Sequence, residues 1–296
     1  MKIWIAENEA FELVQSGEGV LFDCRGLMDN LEQSIQNYLD ERVESAEYIH
    51  SFLSGNNTIS GGRHPLPDLN DFADYVISIS QGKKIIAYDN RNSFFGTRFV
   101  YLCHLVDLDS FLIQEGYEDL KLFKKTDKDP FVGKNHATVV FYESTTESYE
   151  MAKRNINKMK NRDLNIDYNK DIIAFCEDIN ALVNTPDINR VLIDARAHER
   201  FIGNIEPLDK VAGHIPTAIN IPFSEMYEHG LPKHEQDLKD IFKLVLGKEC
   251  IVYCGSGLSA TPLYVALKSL GENVRLYAGS YSEWSSKYPE NIEIGD

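Results

Sequence analysis

The sequence has few of the features that direct a chain to membranes or nucleic acids. No stretch approaches the roughly 18 apolar residues of a membrane span, and the first residues lack a long apolar run and a small-residue cleavage site, so we expect no signal peptide. The 30 basic residues are outnumbered by 46 acidic ones, which gives a formal net charge of −16. This charge argues against nucleic acid and membrane as partners. It is compatible with a small anionic substrate, because local groups govern a pocket.

Cysteine is scarce and its spacing is irregular. The five cysteines are Cys24, Cys103, Cys176, Cys250 and Cys254. An odd, sparse set of cysteines is typical of free thiols in a reducing compartment and not of a disulfide framework. No Cys-x2-Cys pair or His/Cys cluster has metal-ligand spacing. The sequence therefore predicts a cytoplasmic protein with no metal and no cofactor.

The most informative stretch of the chain surrounds Cys254. Residues 251–253 are apolar and mostly β-branched, which predicts a buried strand. Gly255 and Gly257 let the backbone turn sharply, and a proline then marks the start of a helix over residues 263–270. Cys254 would lie at a helix N-terminus, where the helix dipole and unpaired N–H groups favour a thiolate. The pattern predicts a nucleophile, although a lone cysteine after an apolar strand is more often a small core residue.

The two halves of the chain share a repeated pattern. Three pairs of segments match in the same order: 19–25 with 190–196, 84–89 with 250–254, and 112–120 with 276–284. Each half alternates strands with helices, which predicts an α/β domain with a mostly parallel sheet covered on both faces. In such folds ligands bind at the carboxyl ends of the strands, where Cys254 is placed. The first half has Asp89 at the equivalent position.

A set of short motifs runs through most of the chain in a fixed order. The motifs are Gly-Arg-His-Pro-Leu-Pro at 62–67, Leu-Ile-Asp-Ala-Arg at 192–196, Arg200-Phe201 with Gly203, Gly-His-Ile-Pro at 213–216, Asn-Ile-Pro-Phe at 220–223, the Cys254 loop, and Gly-Ser-Tyr-Ser-Glu-Trp at 279–284. Together they resemble the tandem-domain rhodanese family, the thiosulfate and 3-mercaptopyruvate sulfurtransferases. The family places an inactive domain first, in agreement with Asp89.

The resemblance implies a fold, a domain arrangement and an activity. We expect two tandem rhodanese-like α/β domains, each a mostly parallel sheet flanked by helices. The first, non-catalytic, covers residues 1–125, a linker covers 126–165, and the catalytic domain covers 166–296. The resemblance implies a sulfurtransferase that moves a sulfane sulfur through a Cys254 persulfide, from a small anionic donor to a thiol, cyanide or thioredoxin-like acceptor. The alternative is a non-catalytic or redox-sensing module that uses Cys254 as a reversible thiol.

The resemblance also implies roles for residues around the cysteine. Backbone N–H groups would hold the sulfur anion, and they belong to Gly255, Ser256, Gly257, Leu258, Ser259 and Ala260. Ser256 would also relay a proton or orient the thiolate, unless it merely caps the next helix. Arg200 would bind the substrate carboxylate, with an ion pair to Glu199 or Glu206 as the alternative. His64 would reach the cleft from the first domain.

The uncharged loop after Cys254 indicates which sulfur donor the protein uses. One departure from the family's pattern is expected to weaken the binding of that donor. The residues after Cys254 are uncharged, as in family members that prefer 3-mercaptopyruvate, whereas thiosulfate-preferring members carry basic residues there. Mercaptopyruvate enzymes have a second arginine after a Glu-Pro pair, and this chain has Leu208 in a segment one residue shorter. Lys210 is a candidate replacement, but lysine lacks the planar fork of arginine. We therefore expect a raised KM for 3-mercaptopyruvate.

Overall fold

The structure is a computed structural model that describes residues 1–28, 30–53, 61–128 and 167–296. Two five-stranded parallel sheets organise these residues. The first sheet contains, in spatial order, β1 (Trp4–Ile5), β6 (Ser110–Ile113), β5 (Lys84–Tyr88), β2 (Gly19–Asp23) and β4 (Glu47–Tyr48). The second contains β10 (Ile219–Asn220), β9 (Arg190–Asp194), β13 (Glu249–Tyr253), β14 (Val274–Tyr277) and β8 (Ile173–Ala174). Most of the predicted linker, residues 126–165, lies outside the described residues.

Helices cover the sheets, and two short antiparallel pairs lie beside them. The helices are α1 (Glu7–Gln15), α2 (Leu31–Asp40), α3 (His50–Leu53), α4 (Leu69–Ser80), α5 (Phe95–Leu105), α6 (Cys176–Asn184), α7 (His198–Phe201), α8 (Glu235–Ile241), α9 (Thr261–Ser269) and α10 (Ser280–Lys287). The antiparallel pairs are β3 (Arg42–Val43) with β7 (Lys125–Thr126), and β11 (Tyr227–Glu228) with β12 (Leu231–Pro232). Within the described ranges, no helix is long and apolar enough to cross a membrane.

The central strands are parallel because both of their faces are covered. Strands β2, β5, β9 and β13 are short apolar runs, and their central residues are almost fully buried. All pairings within the two large sheets are parallel. The predicted fold of two mostly parallel α/β sheets flanked by helices is confirmed.

The internal repeat is visible in matching contacts at the strand ends. In the first sheet, Arg25 forms a forked ion pair with Asp23, with a shortest distance of 2.7 Å. In the second, Arg196 and Asp194 form the same pair, also at 2.7 Å. These buried or half-buried pairs satisfy charges that would otherwise be costly in a core. They tie each strand to the loop that follows it.

The two halves meet through helices α5 and α9, which follow equivalent strands. Near the helix starts, the hydroxyl oxygens of Thr97 and Thr261 lie 2.8 Å apart. One turn further along, the rings of Tyr101 and Tyr264 pack edge to face at 4.9 Å between centroids. One apolar core continues from the first half into the second through this interface. The loop after β13 therefore lies directly against the first half of the chain.

Candidate active site

Cys254 follows the last residue of β13 and is almost fully buried, with 1% of its surface exposed. The backbone N–H of Gly257 donates to the Cys254 Sγ at 3.1 Å. The Ser280 hydroxyl lies 4.0 Å from the same sulfur and accepts a bond from the backbone N–H of Cys254 at 3.2 Å. A donor aimed at a water-excluded sulfur stabilises the thiolate.

The first turn of α10 holds the cysteine loop in place. The N–H of Tyr281 donates to the carbonyl of Cys254 at 2.9 Å, and that of Ser282 donates to the carbonyl of Gly255 at 3.0 Å. Gly257 has a φ of +87°, and an added Cβ there would collide with the carbonyl oxygen of Ala278. Only glycine satisfies both the dihedral angle and the close approach.

The remaining predicted loop residues differ in what they present to the site. The side chains of Leu258 and Ala260 are buried, at 1% and 0% exposure, and both belong to the apolar core. Ser259 is half-buried. The carbonyl of Leu258 accepts the N–H of Thr261 at 3.0 Å, which starts helix α9. These three residues therefore shape the loop with their backbone. No hydrogen bond from their side chains to Cys254 is present in the described part of the chain.

Ser256 contacts a histidine from the other half of the chain. Its Oγ lies 2.7 Å from Nδ1 of His64. Helix α9 starts at Thr261 with Ala260 as its N-cap residue and without a side-chain capping bond, so Ser256 is not its cap. A hydroxyl bonded to an imidazole at this distance can give or receive a proton, because histidine titrates near neutral pH.

The segment that carries His64 is docked on α10. Gly62 has a φ of +89°, and an added Cβ would collide with the carbonyl oxygen of Gly279. The N–H of Arg63 donates to the Ser282 hydroxyl at 3.1 Å. Two adjacent side chains of the first half, those of Arg63 and His64, are thereby fixed at the cysteine loop.

Two guanidinium groups lie over the start of the cysteine loop. A Cβ added to Gly255 would be 3.0 Å from Nη2 of Arg63 and 3.3 Å from Nη1 of Arg200. The absence of a side chain at Gly255 therefore leaves room for both groups beside Cys254. The sequence predicts Arg200 at the site, whereas Arg63 is visible in the sequence only as the residue before His64 in the Gly-Gly-Arg-His segment. Its proximity to Cys254 depends on tertiary structure.

Two carboxylates orient these arginines. Arg200 pairs with Glu206 at 2.6 Å and with Asp209 at 3.5 Å, and Arg63 pairs with Asp209. The predicted alternative for Arg200, an ion pair with Glu206, is therefore present at the same time as its approach to the loop. Burial opposes ionisation of Glu206, but bonds from Arg200 and two backbone N–H groups lower its pKa below the ordinary value. Burial raises the pKa of Asp209, although Arg63 acts in the opposite direction.

The second guanidinium group at the site belongs to Arg63. The family pattern would place it directly after Glu206-Pro207, where this chain has Leu208. Leu208 is 56% exposed, and Lys210 is exposed as well. The N–H of Leu208 donates to Glu206 at 3.0 Å, so this loop supplies support to the carboxylate. Arg63 supplies the second guanidinium beside Gly255.

Asp89 closes the equivalent loop in the first half. Its carboxylate accepts from the N–H groups of Asn90 at 2.8 Å and Gly96 at 2.6 Å. Burial raises the pKa of Asp89 to about 7, although these bonds act in the opposite direction. The first sheet thus ends in a loop that its own acid holds together, without a thiol at this position.

Comparison with known proteins places the chain in a family. The rhodanese-like domain family matches residues 176–287. The chain is 32% identical over 278 residues to the probable 3-mercaptopyruvate sulfurtransferase of Schizosaccharomyces pombe, covering 88% of this chain and 83% of that protein. It is 26% identical over 300 residues to the 3-mercaptopyruvate sulfurtransferase of Escherichia coli K12, covering 98% and 95%.

Solved structures show the same fold. The sulfur transferase subunit of yeast mitochondrial complex I superposes with a TM-score of 0.76 at 24% identity, with 100% of both chains covered. The E. coli SseA structure gives a TM-score of 0.70 at 22% identity, covering 95% of this chain and 100% of that one. The chain belongs to the tandem-domain rhodanese family and is a sulfurtransferase, as predicted. A sulfur donor and a thiol-type acceptor are the partners that this family implies in general.

Proposed function

We propose that the protein moves a sulfane sulfur from 3-mercaptopyruvate to a thiophilic acceptor through a persulfide on Cys254. The observation that carries this proposal is the pair of guanidinium groups, Arg63 and Arg200, beside an uncharged cysteine loop. The catalytic domain in this proposal covers residues 166–296, and the non-catalytic domain covers residues 1–125. The five free cysteines support a reducing cytoplasm as the compartment.

The placement of positive charge favours a donor whose anionic group is separated from the sulfur. In 3-mercaptopyruvate the carboxylate and ketone lie beyond the methylene carbon, where Arg63 and Arg200 can bind their oxygens in a forked geometry. In thiosulfate the sulfonate is bonded directly to the transferred sulfur. It would crowd against the buried loop of Cys254, where the Gly257 N–H points at the sulfur. We therefore expect a higher kcat/KM for 3-mercaptopyruvate than for thiosulfate.

In the first half-reaction, the Cys254 thiolate attacks the donor sulfur, and the bond between that sulfur and the methylene carbon breaks. The electron pair of the broken bond goes to the carbon, which leaves as the enolate of pyruvate and must take up a proton. Ser256 donates that proton, and His64 replenishes it. The proton on the donor thiol is released to His64, so the products are pyruvate and an anionic persulfide. The Gly257 N–H stabilises the thiolate of Cys254 before it attacks.

In the second half-reaction, an acceptor attacks the outer sulfur of the persulfide and the Cys254 thiolate leaves. A thiol, cyanide or a thioredoxin-like protein has the nucleophilicity that this step requires. The Gly257 N–H, which stabilises the thiolate before the reaction, also stabilises it as the leaving group. The same N–H therefore serves both halves of the cycle.

Mass spectrometry of the purified protein after incubation with each donor tests the proposal. We expect the mass of one sulfur atom to be gained on the peptide that contains Cys254, with Cys24, Cys103, Cys176 and Cys250 unmodified. Pyruvate release and thiocyanate formation with cyanide as acceptor then give kcat/KM for both donors. Equal or better efficiency with thiosulfate would contradict the assignment of the donor.

A variant of Arg63 separates binding of the donor from the chemical step. Arg63→Lys keeps the charge but removes the planar fork, so the KM for 3-mercaptopyruvate should rise with little change in kcat. The lost charge-assisted hydrogen bond is worth about 1.5–3 kcal/mol, or roughly ten- to a hundredfold in kcat/KM. Lys210→Met is the matched control, because that exposed lysine lies on the loop near Arg200 and contacts neither guanidinium in the described structure. Full sulfur transfer by Cys254→Ser would overturn the persulfide mechanism.

A further inference from the structure

Arg98 is a buried arginine that connects the first half of the chain to the cysteine loop. It lies on α5 and has 0% of its surface exposed. Its Nη1 donates to the carbonyl of Gly257 at 3.1 Å. Its Nη2 donates to the carbonyls of Pro65 at 3.3 Å and His64 at 3.5 Å. One guanidinium therefore contacts both the residue whose N–H reaches the Cys254 sulfur and the residue whose ring reaches Ser256.

The charge of Arg98 has no carboxylate partner in the part of the chain that the structure describes. Its Nε is also buried without a hydrogen-bond partner there. By contrast, the buried guanidinium of Arg196 and the half-buried one of Arg25 each pair with an aspartate. Burial lowers the pKa of Arg98 to about 10, while the charges of Tyr101 and Cys254 act in the opposite direction. Arg98 is still a cation at neutral pH, and an unpaired buried cation is expensive.

We propose that Arg98 is the positioning residue and buried counter-charge through which the first half of the chain stabilises the anion on Cys254. The proposal rests on the proposed function only in taking Cys254 as the reactive thiolate. The anion of Cys254 and its persulfide are the negative charges that the buried loop next to Arg98 can supply. Arg98 thus explains why a domain with Asp89 at the position equivalent to Cys254 is built into the site.

The geometry links Arg98 to the sulfur through a single residue. Gly257 accepts from Arg98 with its carbonyl and donates to Cys254 Sγ with its N–H. Because Gly257 has a positive φ and no side chain, its orientation depends on such external contacts. Fixing the Gly257 carbonyl therefore fixes the direction in which its N–H points.

The other charged groups around the site are arranged differently. Arg63 and Arg200 lie at the Gly255 end of the loop and are paired with Glu206 and Asp209. Their charge is therefore largely compensated before a substrate binds. Among the described residues, the His64 ring, bonded to Ser256, and the neutral hydroxyl of Ser280 also face Cys254 and its loop. Of the three arginines around the loop, Arg98 is the one that has no carboxylate partner among the described residues.

The test compares Arg98→Gln with Arg98→Lys in the full-length chain. The measured quantity is the rate at which iodoacetamide alkylates Cys254, followed on its peptide by mass spectrometry as a function of pH. Removing a nearby positive charge destabilises the thiolate, so the pH midpoint of alkylation in Arg98→Gln should rise by about 1 unit or more. Lysine keeps the charge but cannot reach all three carbonyls. Arg98→Lys should therefore keep a midpoint close to wild type and show a lower kcat.

Arg25→Gln is the matched control for destabilisation of the first domain. Arg25 is a largely buried arginine at the end of β2, and it is paired with Asp23. Its loss should lower the thermal unfolding temperature without moving the alkylation midpoint of Cys254. An unmoved midpoint in Arg98→Gln would overturn the proposed counter-charge. If that variant does not fold, Arg98→Lys decides, because wild-type kcat in it would overturn the positioning role. Alkylation needs no sulfur donor, so this result is independent of whether 3-mercaptopyruvate is the substrate.

Discussion

The structure makes its sharpest prediction at Gly257, where two separate demands meet in one residue. The first is the φ of +87°, which costs an ordinary residue about 1–2 kcal/mol. The second is the approach of the Ala278 carbonyl, which occupies the place of a Cβ. Gly257→Ala must therefore move the loop backbone as well as adopt a strained angle. The N–H that points at Cys254 Sγ would move with it.

Gly271→Ala is a control that meets only the first demand. Gly271 has a φ of +85°, and nothing lies within 4 Å of the Cβ position. We expect Gly271→Ala to lose about 1–2 kcal/mol of unfolding free energy with unchanged sulfur transfer. Gly257→Ala should lose more stability, because the loop is displaced. Its kcat should fall by about a hundredfold, the order found when one oxyanion-type donor is lost.

The assay combines denaturant unfolding with pyruvate release under single-turnover conditions. Single turnover isolates formation of the persulfide from the acceptor step, so a lower rate reports on Cys254 itself. The difference between the two alanine variants removes the common effect of the positive φ. If Gly257→Ala forms the persulfide as fast as Gly271→Ala, the Gly257 N–H does not stabilise the thiolate of Cys254.

Two further predictions concern the proton and the first domain. Ser256→Ala should lower kcat with 3-mercaptopyruvate by about a hundredfold, the lower range for general acid catalysis, but should affect thiosulfate less, because sulfite leaves without taking up a proton. Pyruvate and thiocyanate assays check this, and equal losses with both donors would argue against a proton relay through His64. Asp89→Asn should leave sulfur transfer unchanged, since its loop lies in the other sheet. A large loss in the same assay would show that the Asp89 loop itself takes part in sulfur transfer.

The parts of this protein that were predictable from sequence are those set by local pattern. The strand, glycine turn and helix around Cys254 follow one another directly in the chain, so periodicity and glycine placement predict them. Helix α4 also has a local signal: Asp68 caps it by accepting the N–H groups of Asn70 and Asp71, and aspartate is a preferred residue at that position. The fold class followed from the alternation of such units.

The site residues that the sequence does not reveal depend on contacts between residues that are far apart in the chain. Arg98 has no local motif that distinguishes it from a surface arginine, and the motif that contains Arg63 does not indicate that its side chain reaches the cysteine loop. Arg63 reaches the site because Gly62 docks on Gly279, far along the chain. The burial of Arg98 is decided by the packing of α5 against α9, which pattern alone does not specify. Sequence therefore located the nucleophile but could not assemble the charges around it.

These distant contacts change how the duplicated architecture is understood. A first domain without a cysteine equivalent to Cys254 would be expendable if it served only to cover the second. Here it contributes a substrate-side guanidinium from Arg63, the histidine that meets Ser256, and the buried cation of Arg98. Arg98 acts from α5, and Arg63 and His64 act from the segment docked on α10, so all three act across the interface between the two halves. Loosening that interface should therefore lower the reactivity of Cys254 before it unfolds either sheet, because side chains of the first half contact the cysteine loop.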